Sequence, residues 1–212
     1  WWKPRFGATL RCSVLLAFWG GRSVLQAVSW LPRTEGSIRL AFARRAGRTV
    51  VDVMHQAGAA RVRFPNTAEA APIEAVLLNT AGGLTGGDRI DIKVALAEAT
   101  EATVTTAAAE KIYRARDGEA AAIRVELHVA ARAQLAWLPQ PTIVFDQSRL
   151  GRRTDVELAQ DSSFLAVEAL VFGRAAMGEH VRRGAVRDVW RVRRGGKLIF
   201  ADTFLVEGAV AE

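Results

Sequence analysis

Apolar and polar residues alternate along most of the chain from residue 37 onward. The alternation predicts β-strands, because successive side chains of a strand point to opposite faces. Glycine, asparagine, aspartate and proline separate the alternating segments, as turn residues do. The predicted strands span residues 38–44, 48–53, 61–64, 73–78, 89–96, 102–106, 123–129, 134–138, 142–145, 154–158, 164–171, 186–193 and 197–205. Many short strands at even spacing favour an all-β sandwich, barrel or β-solenoid over alternating β/α units.

A few segments depart from this strand pattern. Alanine and glutamate cluster in residues 67–73 and 107–112, which predicts two short helices. Two prolines in residues 137–145 predict a rigid elbow between two strands. Arg194-Gly195-Gly196 predicts a tight hairpin between the last two strands. The sequence has no repeat of fixed period and no low-complexity linker, so it predicts one mainly β domain with few short helices.

Composition and charge exclude several classes of protein. The chain has 212 residues, half of them apolar and 24% charged, which is typical of a globular protein. The net charge of +7 by itself favours a nucleic acid or an anionic membrane as partner. However, residues 1–50 carry nine basic groups and one acidic group, whereas residues 51–212 carry 20 basic and 21 acidic groups. The basicity belongs to the N-terminal stretch, and we expect neither nucleic acid nor membrane as a partner.

The first 29 residues differ from the rest. Basic residues precede a short apolar run at 12–19, which resembles a secretory signal but is too short to span a membrane, where about 20 apolar residues are needed. We interpret residues 1–29 as an extension outside the fold and residues 30–212 as the domain. Cys12 is the only cysteine, so no intrachain disulfide can form, and a cytoplasmic location is expected. The three histidines are far apart and show no zinc-site spacing.

The densest motif is glycine-rich. Gly82-Gly83 and Gly86-Gly87 bracket Leu84-Thr85 and precede Asp88. Glycines permit positive φ, so the segment is a possible anion-binding nest. It matches neither a Walker loop nor GxGxxG, and a strand rather than a helix follows it. The favoured alternative is a sharply folded connection packed against neighbouring strands.

The sequence shows no nucleophile elbow, no paired carboxylates and no triad order, so it does not favour an enzyme. The arginines of residues 182–194 lack interleaved exposed aromatic residues, which weakens a nucleic-acid interpretation.

Four segments taken in order resemble the family of the urease accessory protein UreD, also called UreH. The segments are 82–88, 105–114, 137–140 and 173–179, and the residues that carry the resemblance are Gly82, Gly83, Gly86, Gly87, Asp88, Thr105, Thr106, Lys111, Tyr113, Arg114, Gln140, Arg174 and Glu179. The resemblance covers about residues 30–208. Family members usually continue for several strands beyond the equivalent of Glu212, so the chain is expected to be truncated at its C-terminus.

The resemblance implies a non-enzymatic scaffold that helps deliver nickel to apo-urease. It implies an elongated stack of antiparallel and mixed β-sheets, similar to a β-helix. The implied partners are the helical protein UreF, the GTPase UreG acting through UreF, and the urease subunits. No tightly bound cofactor is expected, because the nickel is in transit.

Within this resemblance, Asp88 and Glu179 are candidate ligands along a transient nickel path. Hard oxygen ligands would release the ion, whereas thiolates or histidine clusters would hold it. Thr105 and Thr106 would assist as neutral oxygens. The equally weighted alternative is that the two carboxylates are structural partners of Arg89 and Arg174. The rival function is an anion- or carbohydrate-binding β-solenoid, or an enzyme, that uses the glycine-rich segment.

Overall fold

A computed structural model describes residues 33–66, 72–116, 118–174 and 177–209, which all lie in one compact unit, Pro32–Glu212. Fifteen β-strands make up nearly all of its regular structure. Their bounds are β1 Glu35–Arg45, β2 Arg48–Gly58, β3 Ala60–Arg63, β4 Ile73–Asn79, β5 Arg89–Leu96, β6 Glu101–Thr106, β7 Glu110–Ile112, β8 Ala121–Val129, β9 Gln134–Leu138, β10 Thr142–Val144, β11 Arg149–Leu158, β12 Ser163–Ala166, β13 Leu170–Phe172, β14 Arg183–Arg194 and β15 Lys197–Ala209.

The strands form three sheets. The seven-stranded sheet has the order β15-β14-β11-β8-β5-β1-β2, the five-stranded sheet β12-β9-β6-β4-β3 and the three-stranded sheet β13-β10-β7. Pairing is parallel inside all three sheets. Antiparallel strands occur only at sheet ends among the described residues, namely β2, β3 and β15.

This topology is that of a β-solenoid. The runs β5-β6-β7, β8-β9-β10 and β11-β12-β13 each place one strand in every sheet, so each run is one turn stacked on the previous turn. The turns differ in length. The chain advances 33 residues from Arg89 to its neighbour Ala122, 29 from Ala121 to Leu150, and 36 from Leu150 to Val186. The uneven lengths explain why the sequence shows no repeat of fixed period.

The core lies inside the stacked turns. Alternate residues of β5 are buried, as the pattern predicts. Val94, Leu127, Val156 and Val192 lie side by side on four neighbouring strands and are all buried. Burying each of these side chains contributes roughly 1.5–3 kcal/mol, and the in-register stacking repeats this contribution along the solenoid.

The predicted strands are confirmed, with two corrections. Residues 107–112 were predicted as a helix, but Glu110–Ile112 forms β7, because pairing with β10 outweighs the helix propensity of alanine. Residues 164–171 were predicted as one strand, but they contain two, β12 and β13, separated by Val167-Glu168-Ala169. Of the other predicted helix, residues 67–71 lie outside the described part of the chain and Ile73 begins β4.

Both predicted turns are present. Arg194 pairs with Lys197 across the glycine hairpin. The proline elbow separates β9 from β10. In the described residues no helix is long and apolar enough to cross a bilayer. The expectations about residues 1–29 fall outside the described part of the chain.

Candidate functional site

The glycine-rich segment connects β4 to β5 and packs on β7. Leu84 is fully buried and forms a parallel bridge with Ile112. Its N–H donates to the Lys111 carbonyl at 2.7 Å, and its carbonyl accepts from the Tyr113 N–H at 2.7 Å. Leu84 therefore extends the three-stranded sheet by one residue beyond β7. The segment is a sharply folded connection packed against its neighbours.

Asp88 occupies the interior of this connection. It is only 3% exposed. Its Oδ1 accepts a hydrogen bond from the Thr34 N–H at 2.7 Å, and its Oδ2 accepts one from the Thr85 N–H at 2.8 Å. The carboxylate therefore already fills the place that an external anion would take in a backbone nest.

The glycines permit close packing around this carboxylate. A Cβ on Gly86 would lie 2.5 Å from the Glu119 carbonyl oxygen. A Cβ on Gly83 would lie 2.4 Å from a ring carbon of Tyr113, and Gly83 also has φ of +152°. Both positions exclude larger residues, because no Cβ atom tolerates such distances. Packing thus explains Gly83 and Gly86, whereas a Cβ at Gly82 would meet no atom and its positive φ of +77° is what favours glycine there.

A chain of side-chain contacts joins three of the matched motifs. The Tyr113 ring stacks on Phe145, with centroids 5.0 Å apart and an interplanar angle of 15°. The Arg174 guanidinium lies 4.7 Å above the same Phe145 ring, and its Nε donates to Glu179 at 2.7 Å. The Tyr113 hydroxyl donates to the Gly82 carbonyl at 3.3 Å. Motifs distant in sequence therefore meet at one surface.

The threonine motif joins β6 to the proline elbow. The Thr105 hydroxyl donates to the Leu138 carbonyl at 2.7 Å. The Thr106 hydroxyl oxygen accepts from the Gln140 N–H at 2.9 Å and donates to the Ala108 carbonyl. Nearby, the Arg114 carbonyl accepts from the Thr85 hydroxyl at 2.8 Å. These groups have backbone partners, so their immediate role is to hold the connections between strands.

Asp88 and Glu179 have separate partners. Asp88 binds backbone amides rather than the Arg89 side chain, whereas Glu179 forms an ion pair with Arg174, as the alternative proposed. In the described part of the chain, no three or more His, Cys, Asp or Glu residues are grouped so that they could hold a metal ion. The assignment of the two carboxylates to a nickel path stays a prediction.

The structure contains a charged cluster that the sequence interpretation missed. The interior charged cluster consists of Arg152, Glu168 and Asp188. Arg152 is 6% exposed and points into the solenoid from β11. Its Nε donates to Asp188 Oδ1 at 3.1 Å, a terminal nitrogen donates to Asp188 Oδ2, and that nitrogen lies 2.9 Å from Glu168 Oε2.

Two indole groups complete the surroundings of Glu168. The Trp190 Nε1 donates to Oε2 at 3.1 Å, and the Trp137 Nε1 lies 3.4 Å from Oε1. Burial raises the pKa of the Glu168 carboxyl, with Asp188 adding to the rise, although Arg152 and the two indoles act in the opposite direction. The Thr154 hydroxyl, also buried, has no hydrogen-bond partner among the described residues. The last turn of the solenoid therefore has a polar interior.

One signal could have revealed this cluster. Leu150, Arg152, Thr154, Val156 and Leu158 occupy alternate positions of β11, and all five are buried. When an arginine and a threonine occupy the alternate positions of a strand that otherwise carry buried apolar residues, they indicate a polar site in the interior. The predicted strand 154–158 began too late to include the arginine.

A cavity of about 460 Å³ opens beside this cluster. Its lining includes Glu168, Trp190, Phe164 and, from β15, Phe200 and Asp202. The mixture of aromatic and carboxylate groups gives the cavity both apolar and polar walls.

Comparison with known proteins decides the family. A sequence model of the family described as UreD urease accessory protein matches residues 34–212. The chain belongs to the UreD family. A UreD urease accessory protein of Rhodopseudomonas palustris (strain BisB18) is 49% identical over 178 residues, which cover 84% of this chain and 64% of the relative. A UreD of Rhizobium leguminosarum bv. viciae is 50% identical over 179 residues, which cover 84% of this chain and 65% of the relative.

A third UreD, from Bradyrhizobium diazoefficiens, is 45% identical over 188 residues, covering 89% of this chain and 67% of the relative. The chain thus spans about two thirds of the length of the curated UreD proteins it matches. The resemblance seen in the four motifs is confirmed over the whole described solenoid.

Proposed function

We propose that this UreD chain acts in urease maturation, as a non-catalytic scaffold that helps deliver nickel to apo-urease. The observation that carries the proposal is the family match over residues 34–212, together with relatives about half identical that are named urease accessory proteins. We place its work in the cytoplasm, in a complex with UreF, with UreG through UreF, and with the urease subunits. GTP hydrolysis then belongs to UreG.

The solenoid suits a scaffold. Parallel turns stacked in register make three continuous sheets, and the threonine side chains of the matched motifs hold the connections between strands. The rival function, an anion- or carbohydrate-binding protein that uses the glycine-rich segment, is disfavoured because the Asp88 carboxylate occupies that segment.

The two candidate nickel ligands differ in how readily they could exchange partners. Asp88 is buried and would have to release two backbone amides. Glu179 has a side chain 23% exposed, and its partner Arg174 is half exposed, so its ion pair is weak enough for a cation to displace. We therefore propose Glu179 as the transient nickel ligand and Asp88 as a residue that maintains the surrounding structure.

The experiment is activation of purified apo-urease by UreF, UreG, nickel and this chain, with complex assembly followed separately. We expect the substitution Glu179→Gln to reduce activation while the complex still forms. Glu207→Gln is the matched control, because Glu207 also forms a surface ion pair, with Arg149. Full activation by Glu179→Gln within intact complexes would remove Glu179 from the nickel path.

The broader role has its own test. The unaltered chain should be retained by UreF and apo-urease and should raise nickel-dependent urease activity. Binding to glycans or nucleotides, combined with no retention by UreF, would contradict the accessory role.

A further inference from the structure

The outer face of the seven-stranded sheet carries a basic groove, and no residue of the four matched motifs lines it. The arginine groove has a floor of Ala122 and Gly151 and a volume of about 410 Å³. Its lining includes four arginines, Arg89, Arg124, Arg153 and Arg187, and one carboxylate, Asp91. The volume falls in the range of about 300–1,000 Å³ typical of ligand pockets.

The strand register creates this arrangement. Arg89, Ala122, Gly151 and Arg187 lie side by side on β5, β8, β11 and β14. Strand spacings of about 4.8 Å place the outer two backbones roughly 14 Å apart. Two small residues between two arginines leave a trough open to solvent.

The guanidinium groups of the groove are largely unneutralised. Arg89, Arg124 and Arg187 are exposed, and none forms a side-chain hydrogen bond or an ion pair within the described part of the chain. Arg153 is bound by both oxygens of Asp155. Arg124 and Arg153 are nevertheless direct cross-strand neighbours. On its other side Arg124 neighbours Asp91, so the groove carries an excess of positive charge, four guanidinium groups against the carboxylates of Asp91 and Asp155.

Gly151 has no conformational or packing requirement for glycine. Its φ is not positive, and β11 passes through it in unbroken register with both neighbours. A Cβ there would meet only the Ala121 carbonyl oxygen, at the ordinary contact distance of 3.9 Å. A glycine inside a strand marks a bulge, a bend or a place where another group approaches closely. Because the first two are absent at Gly151, the glycine points to an approaching ligand.

We propose that the arginine groove binds a carboxylate-bearing segment of a protein partner. Guanidinium groups bind carboxylates in a bidentate manner, and three of them converge here without internal partners. The groove is also bounded, because the next charged positions along the face are neutralised in pairs, such as Lys93 with Glu126 and Arg193 with Glu157. A nucleic acid requires a longer basic track and stacking aromatic residues, which the groove lining lacks.

The test uses fluorescent hexaglutamate peptide, with hexaglutamine carrying the same label as the neutral comparison. We expect hexaglutamate to bind and hexaglutamine not to bind. The variant Arg89→Gln/Arg124→Gln/Arg187→Gln should bind hexaglutamate at least about tenfold more weakly, because each arginine supplies charge-assisted hydrogen bonds.

A matched control removes the same charge outside the groove. The variant Arg39→Gln/Arg182→Gln/Lys197→Gln should retain binding within about threefold, because none of these side chains lines the groove and exposed charges are screened by salt. If both triple variants lost affinity for hexaglutamate equally, the binding would be a general effect of net charge, and the proposal would be overturned.

A second variant blocks the groove without removing charge. Gly151→Leu should abolish peptide binding while the urea unfolding midpoint changes little, because the Cβ is accommodated. Unchanged binding by Gly151→Leu would contradict the floor assignment. Tighter binding of a single-stranded oligothymidylate than of hexaglutamate would reassign the groove to nucleic acid. None of these readouts requires urease activation, so this proposal and the maturation role fail independently.

Discussion

Asp88 shows how one buried carboxylate can hold a connection between two strands. It accepts the N–H groups of Thr34 and Thr85, which lie 51 positions apart in the chain and belong to the approach to β1 and to the glycine-rich segment. The residue thus joins the first strand of the solenoid to the segment that extends the three-stranded sheet.

Replacing this carboxylate should destabilise the fold. The substitution Asp88→Ala leaves two backbone donors unpaired in a buried place, which we expect to cost about 2–4 kcal/mol of unfolding free energy. Urea denaturation followed by tryptophan fluorescence measures this cost. Asp91→Ala removes a less buried carboxylate on β5, the strand that follows Asp88, and should change stability by less than about 0.5 kcal/mol. Equal effects of the two substitutions would refute the structural role of Asp88.

Glu110 gives a pH-dependent prediction. Burial raises the pKa of its carboxyl above 4.5, although the Asn79 amide, 3.1 Å from one carboxylate oxygen, acts in the opposite direction. The folded state therefore holds the proton to higher pH than the unfolded state does. Its contribution to stability is present below pH 4.5 and is lost as the pH rises through the raised pKa.

Removing this titration should change the pH profile of stability. Glu110→Gln keeps an oxygen for Asn79 and cannot ionise, so its stability relative to the unaltered chain should increase from pH 4 to pH 7. Thermal unfolding across this range measures the difference. Glu101→Gln, at an exposed position of β6, serves as the control. A difference that stays constant with pH would contradict the assignment.

At the scale of elements, the interior charged cluster links β11, β14 and the turn between β12 and β13. Arg152 and Asp188 are cross-strand neighbours and both are buried. A buried ion pair of this kind adds little net stability, but loss of one partner leaves an uncompensated charge.

Arg152→Met should therefore destabilise the chain by about 3–5 kcal/mol. The triple substitution Arg152→Met/Glu168→Leu/Asp188→Leu, which leaves no charge of the cluster unpaired, should recover a large part of this loss. Urea denaturation of both variants tests the expectation. A single variant as stable as the unaltered chain, or a triple variant less stable than the single one, would show that the charges do not depend on one another.

How far the elements could be predicted depends on which interactions fix them. Alternation, the proline elbow and the Gly195-Gly196 hairpin are local signals, and they located most strands. β7 was missed because three residues at an alanine-rich site are strand only through pairing with β10. The pairing of Arg152 with Asp188 spans 36 residues and depends on turns of unequal length, so no spacing rule could predict it. The contact of Tyr113 with Phe145 was hidden for the same reason.

At the scale of the whole domain, the two edges of the large sheet differ. The edge strand β15 exposes Leu198, Ile199, Phe200, Phe204 and Leu205, whereas the opposite edge strand β2 exposes fewer large apolar residues. An exposed edge with an apolar surface is prone to pairing with another chain.

We expect this 212-residue chain to self-associate as its concentration rises. The variant Ile199→Lys/Leu205→Lys should shift the concentration dependence towards monomer, because lysines on an edge strand oppose pairing. Size-exclusion chromatography with light scattering measures the mass. Met54→Lys on β2 should leave the association of the unaltered chain in place. Monomer at all concentrations for the unaltered chain would refute the expectation.

The unequal solenoid turns have a consequence for how the chain folds. The parallel pairs in the large sheet join residues 29 to 54 positions apart, whereas the β1–β2 and β14–β15 hairpins close over two residues. A large mean sequence separation between contacting residues slows folding. The chain must lose the entropy of closing each long loop before the contacts across that loop can form. We therefore expect refolding on the timescale of seconds or slower, with the two terminal hairpins forming early and the stacked turns assembling between them.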